Sequence, residues 1–191
     1  MKMRSRRLFL LLTIFSIPLL FAPIRDHAYA GSSPAPACPS CEAFGVQILE
    51  NRKDAPPFTL KSLAGTTYSL NDFKGVPVLV MFWATWCPSC CEELPVIDKL
   101  LAERQDKLAT LLLAIDGEKT KRVRDYVEKK KIRLPVLLDE KEKIARSFGV
   151  TFIPAVFLID QEGRVIARIV GERDWSLPVA WSAIKELLSL R

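Results

Sequence analysis

Five cysteines are the residues of this 191-residue chain best suited to chemistry, and their spacing narrows which chemistry that is. Four of them form two Cys-x-x-Cys pairs, Cys38/Cys41 and Cys87/Cys90, each within the tetrapeptide Cys-Pro-Ser-Cys; Cys91 is left over. A two-residue gap makes a poor structural staple, because in the loop-entropy picture stabilisation grows with the length of the closed loop. Such spacing more often serves redox exchange or metal binding. Only a thiolate attacks, and a free cysteine has a pKa of about 8.5. A cysteine at a helix N-terminus meets unpaired N–H groups and the positive end of the helix, which favour the thiolate. A second cysteine three residues on faces the first across one turn and can attack a mixed disulfide formed there.

The surrounding chain decides which pair has such a setting. Val76 to Trp83 is a continuous run of apolar β-formers, as expected of a strand buried on both faces. A helix is expected from Pro88 to about Arg104, with Leu94, Ile97, Leu100 and Leu101 at helical spacing. Pro88 suits the first helical position, and Pro95 should kink the helix. Cys87 and Cys90 therefore fall at a strand-to-helix junction, with Trp83 and Trp86 expected to line the approach. No strand precedes Cys38/Cys41. Residues 38–52 read as a short helix with Ser40 as its cap and Phe44, Ile48 and Leu49 on its apolar side. That pair stands as a second redox pair, a metal site or a local disulfide.

The remaining elements read in order. Phe58–Leu63 and Thr67–Leu70 flank Ala64-Gly65 as a hairpin, and Asn71–Gly75 forms one capped turn. Leu108–Ile115 is a second buried strand. Thr120 caps a helix to Lys130, Val136–Leu138 is a short strand, and Lys141–Phe148 is a short helix. Ala155–Asp160 and Arg164–Val170 form a hairpin around Gln161-Glu162-Gly163, and Ser176 caps a last helix to Leu190. Strands alternating with helices imply parallel pairing, and the closing hairpin makes the sheet mixed. Just before that hairpin stands Val150-Thr151-Phe152-Ile153-Pro154. A cis Ile153–Pro154 bond beside Cys87 would leave nearby backbone free to pair with an extended substrate segment; the alternative is an ordinary trans proline at a strand start.

These motifs carry a resemblance. Phe82-Trp83-Ala84-Thr85-Trp86-Cys87-Pro88-Ser89-Cys90, then Pro95, then Gly149 to Asp160 and Gly163-Arg164, resemble the TlpA/ResA branch of the thioredoxin superfamily. Ala55–Leu60 and Leu70–Gly75 match that branch's extra N-terminal hairpin, and Thr120–Asp139 its central insertion. The resemblance spans roughly residues 54–175. It implies an α/β, thioredoxin-like fold: a central mixed sheet flanked by helices, with the N-terminal hairpin and the insertion. It also implies an extracytoplasmic protein-disulfide oxidoreductase, often a reductant of the haem-attachment cysteines of apocytochrome c, re-reduced by a membrane thiol carrier. Cys87 would form the mixed disulfide and Cys90 resolve it, with Trp86, Pro88, Ile153 and Pro154 as substrate contacts and no cofactor. Met81 fills the slot where thioredoxins place a buried Asp. Glu93 matches the helix glutamate of ResA-like members; three residues after Cys90, it shares that face and can take the Cys90 proton. The alternative is a solvated first-turn acid favouring the helix dipole. Cys91 departs from the family, where a basic or polar residue is usual, and reads as a passive small residue.

The N-terminus reads as an export segment. Lys2, Arg4, Arg6 and Arg7 precede the uncharged run Leu8–Ile24, and Ala28-Tyr29-Ala30 has the form of a cleavage site. The alternative is an uncleaved anchor, although 17 residues of helix span only about 25 Å of a roughly 30 Å hydrocarbon core. Either reading places the remainder outside the cytoplasm, in the periplasm or on the outer face of the membrane, with membrane contact confined to residues 8–24. The expected organisation is thus 1–30 signal or anchor, 31–53 linker carrying the extra Cys-x-x-Cys, and 54–191 the domain. Residues 1–30 account for four of the six net positive charges, so the rest carries no nucleic-acid footprint.

Two other functions are weighed against this one. A Sco-type copper site would use the Cys87/Cys91 spacing together with a distant His, but the only His is His27, ahead of the cleavage point. A peroxiredoxin-like peroxidase needs Pro-x-x-x-Thr-x-x-Cys, and Val80 and Ala84 stand where the Pro and Thr belong.

Overall fold

Three largely apolar runs, broken only by Thr110 in the second, become the buried strands at the centre of the protein. A computed structural model describes residues 38–189. The elements are α1 (Pro39–Phe44), β1 (Gln47–Asp54), β2 (Thr59–Lys61), β3 (Thr67–Ser69), β4 (Val78–Trp83), α2 (Pro88–Leu101), β5 (Ala109–Ala114), α3 (Thr120–Lys130), β6 (Val136–Leu138), α4 (Lys143–Ser147), β7 (Ala155–Ile159), β8 (Arg164–Val170) and α5 (Pro178–Ser189). Every residue of β4, β5 and β7 is buried, because both faces of the sheet are covered.

The main sheet has the order β1-β8-β7-β4-β5-β6. β4 pairs in parallel with β5, and β5 with β6. β7 runs antiparallel to β4, β8 to β7 and β1 to β8. Successive side chains on a strand point to opposite faces. On β4, Leu79, Met81 and Trp83 therefore join one core layer with Leu94, Ile97 and Leu101 of α2 and Ala183, Ile184 and Leu187 of α5. Val78, Val80 and Phe82 join the other, with Phe58, Leu113, Phe157 and Ala145. The small hairpin β2–β3 docks at the β6 edge, where the Leu63 amide donates to the Val136 carbonyl at 2.9 Å. That contact protects an edge that is otherwise open to pairing. The fold is thioredoxin-like, with a mixed sheet and flanking helices as expected.

Several local expectations are corrected. The helix expected over residues 38–52 stops at Phe44, and β1 begins at Gln47. Gly45 takes a left-handed conformation (φ 72°) and its amide turns back to the Cys41 and Glu42 carbonyls, a glycine C-cap that ends the helix. Ile48 and Leu49 are therefore strand residues, and residues 38–53 are α1 and an edge strand of the sheet rather than a linker. Ser40 is not the cap: Cys38 is, without a side-chain hydrogen bond. Thr120 is the first residue of α3, after Lys119 at the cap. Ser176 precedes α5 by two residues and instead donates its amide (3.0 Å) and hydroxyl (2.5 Å) to Asp174 Oδ1. The segment 1–30, the stretch 31–37, His27 and Leu190 lie outside the described residues. No helix among the described residues is long and apolar enough to cross a membrane.

Candidate active site

β4 runs straight into a short loop, Ala84–Trp86, and then into α2. Asp116, just beyond β5, holds this loop: the Thr85 amide donates to its two carboxylate oxygens at 3.0 and 3.1 Å, and the Thr85 hydroxyl donates to Oδ1. On the other side, the Tyr126 hydroxyl of α3 donates to the Cys91 carbonyl at 2.7 Å. The Tyr126 ring lies against Trp83, with centroids 5.4 Å apart. The start of α2 is thus fastened from two neighbouring elements.

Cys87 is the N-cap of α2, Pro88 occupies the first turn, and the Cys90 amide donates to Cys87 Sγ at 3.2 Å. Cys87 and Cys90 are joined as a disulfide. Cys90 is wholly buried and Cys87 is 5% exposed, so a partner reaches Cys87 first. Ser89 Oγ lies 3.6 Å from Cys87 Sγ, and the Ile153 carbonyl oxygen 4.0 Å. The Ile153–Pro154 bond is cis. Around the pair, Trp86 (57%) and Phe152 (73%) are among the few large apolar side chains left exposed. Trp83, expected beside Trp86 at the approach, is instead fully buried, because it continues the inward alternation of β4 into the core.

Glu93 lies one turn past Cys90 on the same buried face of α2. It is not the solvated first-turn acid of the alternative reading. Its Oε1 accepts from the Arg173 amide at 2.6 Å and its Oε2 from the Trp175 indole at 2.9 Å. Burial raises its pKa from 4.5 to about 7, and the two hydrogen bonds oppose that rise without cancelling it. A carboxyl group poised near neutrality can both take and return a proton. Cys91 keeps a free thiol, which burial pushes up from its ordinary value; it is therefore a weak nucleophile at neutral pH.

Cys38 and Cys41 also form a disulfide. It lies in the core beside α5 rather than at a strand-to-helix junction. The structure therefore brings Cys87, Cys90, Trp86, Pro88, Ile153 and Pro154 to one place with Glu93 behind them, and leaves Cys38/Cys41 elsewhere. Asp116, Tyr126, Arg173, Trp175 and Phe152 were missed as site residues. All but Phe152 act through contacts made by tertiary folding, which no local spacing announces. Phe152 could have been found as a large apolar residue next to the Ile153–Pro154 turn.

A solvent-reachable sulfur at a helix cap, backed by a buried partner three residues on, exchanges its disulfide with thiols and disulfides of other molecules. This is a thiol–disulfide oxidoreductase of the thioredoxin-like class. The chain belongs to the AhpC/TSA family, which matches residues 52–168. It is 36% identical over 126 residues to the thiol-disulfide oxidoreductase ResA of Bacillus thuringiensis subsp. konkukian, covering 65% of this chain and 72% of that protein. It is 38% identical over 117 residues to the thioredoxin-like protein YneN of Bacillus subtilis, covering 60% of this chain and 68% of YneN. Among solved structures, a thiol:disulfide interchange protein of the thioredoxin family from Chlorobium tepidum superposes with a TM-score of 0.61 at 28% identity, covering 73% of this chain and 99% of that one. The ResA-like resemblance holds, and Val80 and Ala84 still occupy the Pro and Thr positions of the peroxidatic pattern.

Proposed function

We propose that this protein is an extracytoplasmic reductant of protein disulfides. The Cys87 thiolate attacks a substrate disulfide, one substrate sulfur leaves as a thiolate, and a mixed disulfide forms. Glu93 takes the proton of Cys90, the Cys90 thiolate attacks Cys87 Sγ, and the second substrate sulfur departs. The products are the reduced substrate and the Cys87–Cys90 disulfide, which a dithiol donor reduces again. Trp86, Pro88, Phe152 and the backbone at Ile153–Pro154 form the surface against which the substrate lies.

The observation that carries the direction of electron flow is that no cationic side chain hydrogen-bonds Cys87. Among the described residues, the hydrogen-bonding partners of its sulfur are the Cys90 amide, the Ser89 hydroxyl and the Ile153 carbonyl. None is a cation, and Cys91 stands where the family usually carries a basic or polar residue. A less stabilised thiolate makes the reduced pair less stable, so it gives up electrons more readily. The basic and apolar N-terminal segment supports a location outside the cytoplasm, with a membrane thiol carrier as donor and apocytochrome c cysteines as the substrate class. The test is a turnover assay with the reduced protein against a disulfide-containing Cys-x-x-Cys-His peptide. Stoichiometric reduction is expected, and an inert reduced protein would overturn the reading.

A further inference from the structure

Both hydrogen bonds to Glu93 are held in place from α1. Phe44, at the end of α1, meets the Trp175 indole edge-on with ring centroids 5.0 Å apart. The Phe44 carbonyl accepts from Arg173 Nε at 3.2 Å, while the Arg173 amide donates to Glu93. The Arg173 guanidinium crosses Gly45 so closely that a Cβ there would come within 2.9 Å of Nε. The cover over Glu93 is therefore a stack: α1, then Arg173 and Trp175, then the carboxyl group.

Six residues are too few to hold a helix unaided. α1 has its glycine cap at one end and no side-chain cap at the other. There the Cys38–Cys41 bond closes the first turn covalently. The turn is seated on α5, with Cys41 Sγ 3.8 Å from the Ala183 carbonyl and the Ser40 amide donating to Glu186 Oε2 at 3.2 Å.

We propose that the Cys38–Cys41 disulfide is a clasp on Glu93: by holding α1 over Arg173 and Trp175, it keeps the Glu93 carboxyl largely buried and aimed, and its reduction loosens that cover. Phe44, Arg173 and Trp175 are positioning residues. The clasp opens by thiol–disulfide exchange with a dithiol protein. Two electrons and two protons pass to Cys38 and Cys41, whose S–S bond breaks as the donor's forms. Cys38 is the more accessible of the two, 8% exposed against 1% for Cys41. Opening removes the N-terminal closure of α1 and exposes Glu93 further to water.

The charges around Glu93 do not substitute for that cover. Glu93 lines a cleft with Glu92 on α2 and with Glu172, Arg173 and Asp174 after β8. Glu172 disfavours the ionised form and Arg173 favours it, but loss of hydration outweighs both. α1 contributes Glu42, which is exposed, and α5 contributes Lys185 and Glu186, the latter engaged with Ser40. Hydrating the carboxyl group therefore lowers its pKa.

The inference rests on the proposed role of Glu93, and the experiment separates the two. The Glu93 carboxyl is titrated by carbon-13 NMR in the full chain with Cys87–Cys90 oxidised, for wild type, the Cys38→Ser/Cys41→Ser double variant, and Phe44→Leu, which keeps the disulfide. The pH profile of mixed-disulfide resolution is followed in parallel. The expected result in each folded variant is a midpoint moved down from about 7, a loss of proton affinity of about tenfold or more, with the kinetic profile moving the same way. If the double variant does not fold, the single Cys38→Ser variant removes the same bond, while Phe44→Leu tests the packing on Trp175. An unchanged titration in a folded variant overturns the clasp. A titration that moves, together with a Glu93→Gln variant that resolves normally, overturns the catalytic role of Glu93 and leaves the clasp standing.

Discussion

The indole N–H of Trp175 donates to Oε2 of Glu93 at 2.9 Å, across 82 positions of chain. That bond places a carboxyl group inside the protein, one turn beyond the buried sulfur of Cys90. A buried acid with its pKa near 7 can act as a base toward a thiol at neutral pH. Glu93→Gln removes the base and keeps one acceptor oxygen for either the Arg173 amide or the Trp175 indole, with its NH2 facing the other donor. We expect resolution of the mixed disulfide by Cys90 to slow by about a hundredfold and to lose its dependence on pH around 7, as read by stopped-flow fluorescence. Attack by Cys87 should be unaffected.

The same group makes stability depend on pH. Its folded pKa lies above the unfolded one, so between about 4.5 and about 7 the folded state holds a proton that the unfolded state has released. Stability therefore falls as pH rises through this window, by on the order of 3 kcal/mol from this residue. Denaturant unfolding at pH 4.5 and pH 7.5 should show that loss in wild type and a smaller one in Glu93→Gln.

Exposure separates the two active-site sulfurs. With Cys90 fully buried and Cys87 5% exposed, Cys90→Ser should accumulate a stable mixed disulfide through Cys87, visible on a non-reducing gel. Cys87→Ser should accumulate none. Cys91→Ala should turn over like wild type, because burial disfavours the Cys91 thiolate.

Trp86 and Phe152 contribute little to the core, being mostly exposed. Trp86→Ala and Phe152→Ala should leave the melting temperature almost unchanged and raise KM for a protein disulfide. The expected rise is roughly tenfold each, corresponding to about 1.4 kcal/mol of lost contact. A small disulfide that cannot reach these side chains should be reduced at the wild-type rate.

The loop before Cys87 depends on one carboxylate. Asp116→Ala would leave the Thr85 amide and hydroxyl without the partner they share. Unsatisfied groups of this kind cost about 1–3 kcal/mol. Calorimetry should show that loss, together with slower attack by Cys87, while Asp116→Asn should recover part of both.

The sheet was legible from sequence because Val78–Trp83 and Ala155–Ile159 are apolar throughout and Ala109–Ala114 is apolar but for Thr110, as expected of strands buried on both faces. The Cys87/Cys90 junction followed from the strand before it and Pro88 after it. What escaped prediction lay where local pattern and tertiary contact disagree. Ile48 and Leu49 have helix-compatible spacing with Phe44, but Gly45 breaks the helix and the β8 edge recruits the next residues into the sheet. Trp83 looked like a wall of the approach, but the two-residue alternation of β4 turns it inward. The burial of Glu93 depends on Arg173 and Trp175, about eighty positions away, which no local spacing connects to it.

The reductant role is tested most directly by the redox equilibrium of Cys87/Cys90 against a glutathione buffer, followed by tryptophan fluorescence in a Cys38→Ser/Cys41→Ser background to isolate one pair. A potential below about −220 mV, the upper bound of the cytosolic glutathione range, is the result predicted for a reductant. A value near −120 mV, that of a strong oxidant such as DsbA, would contradict it.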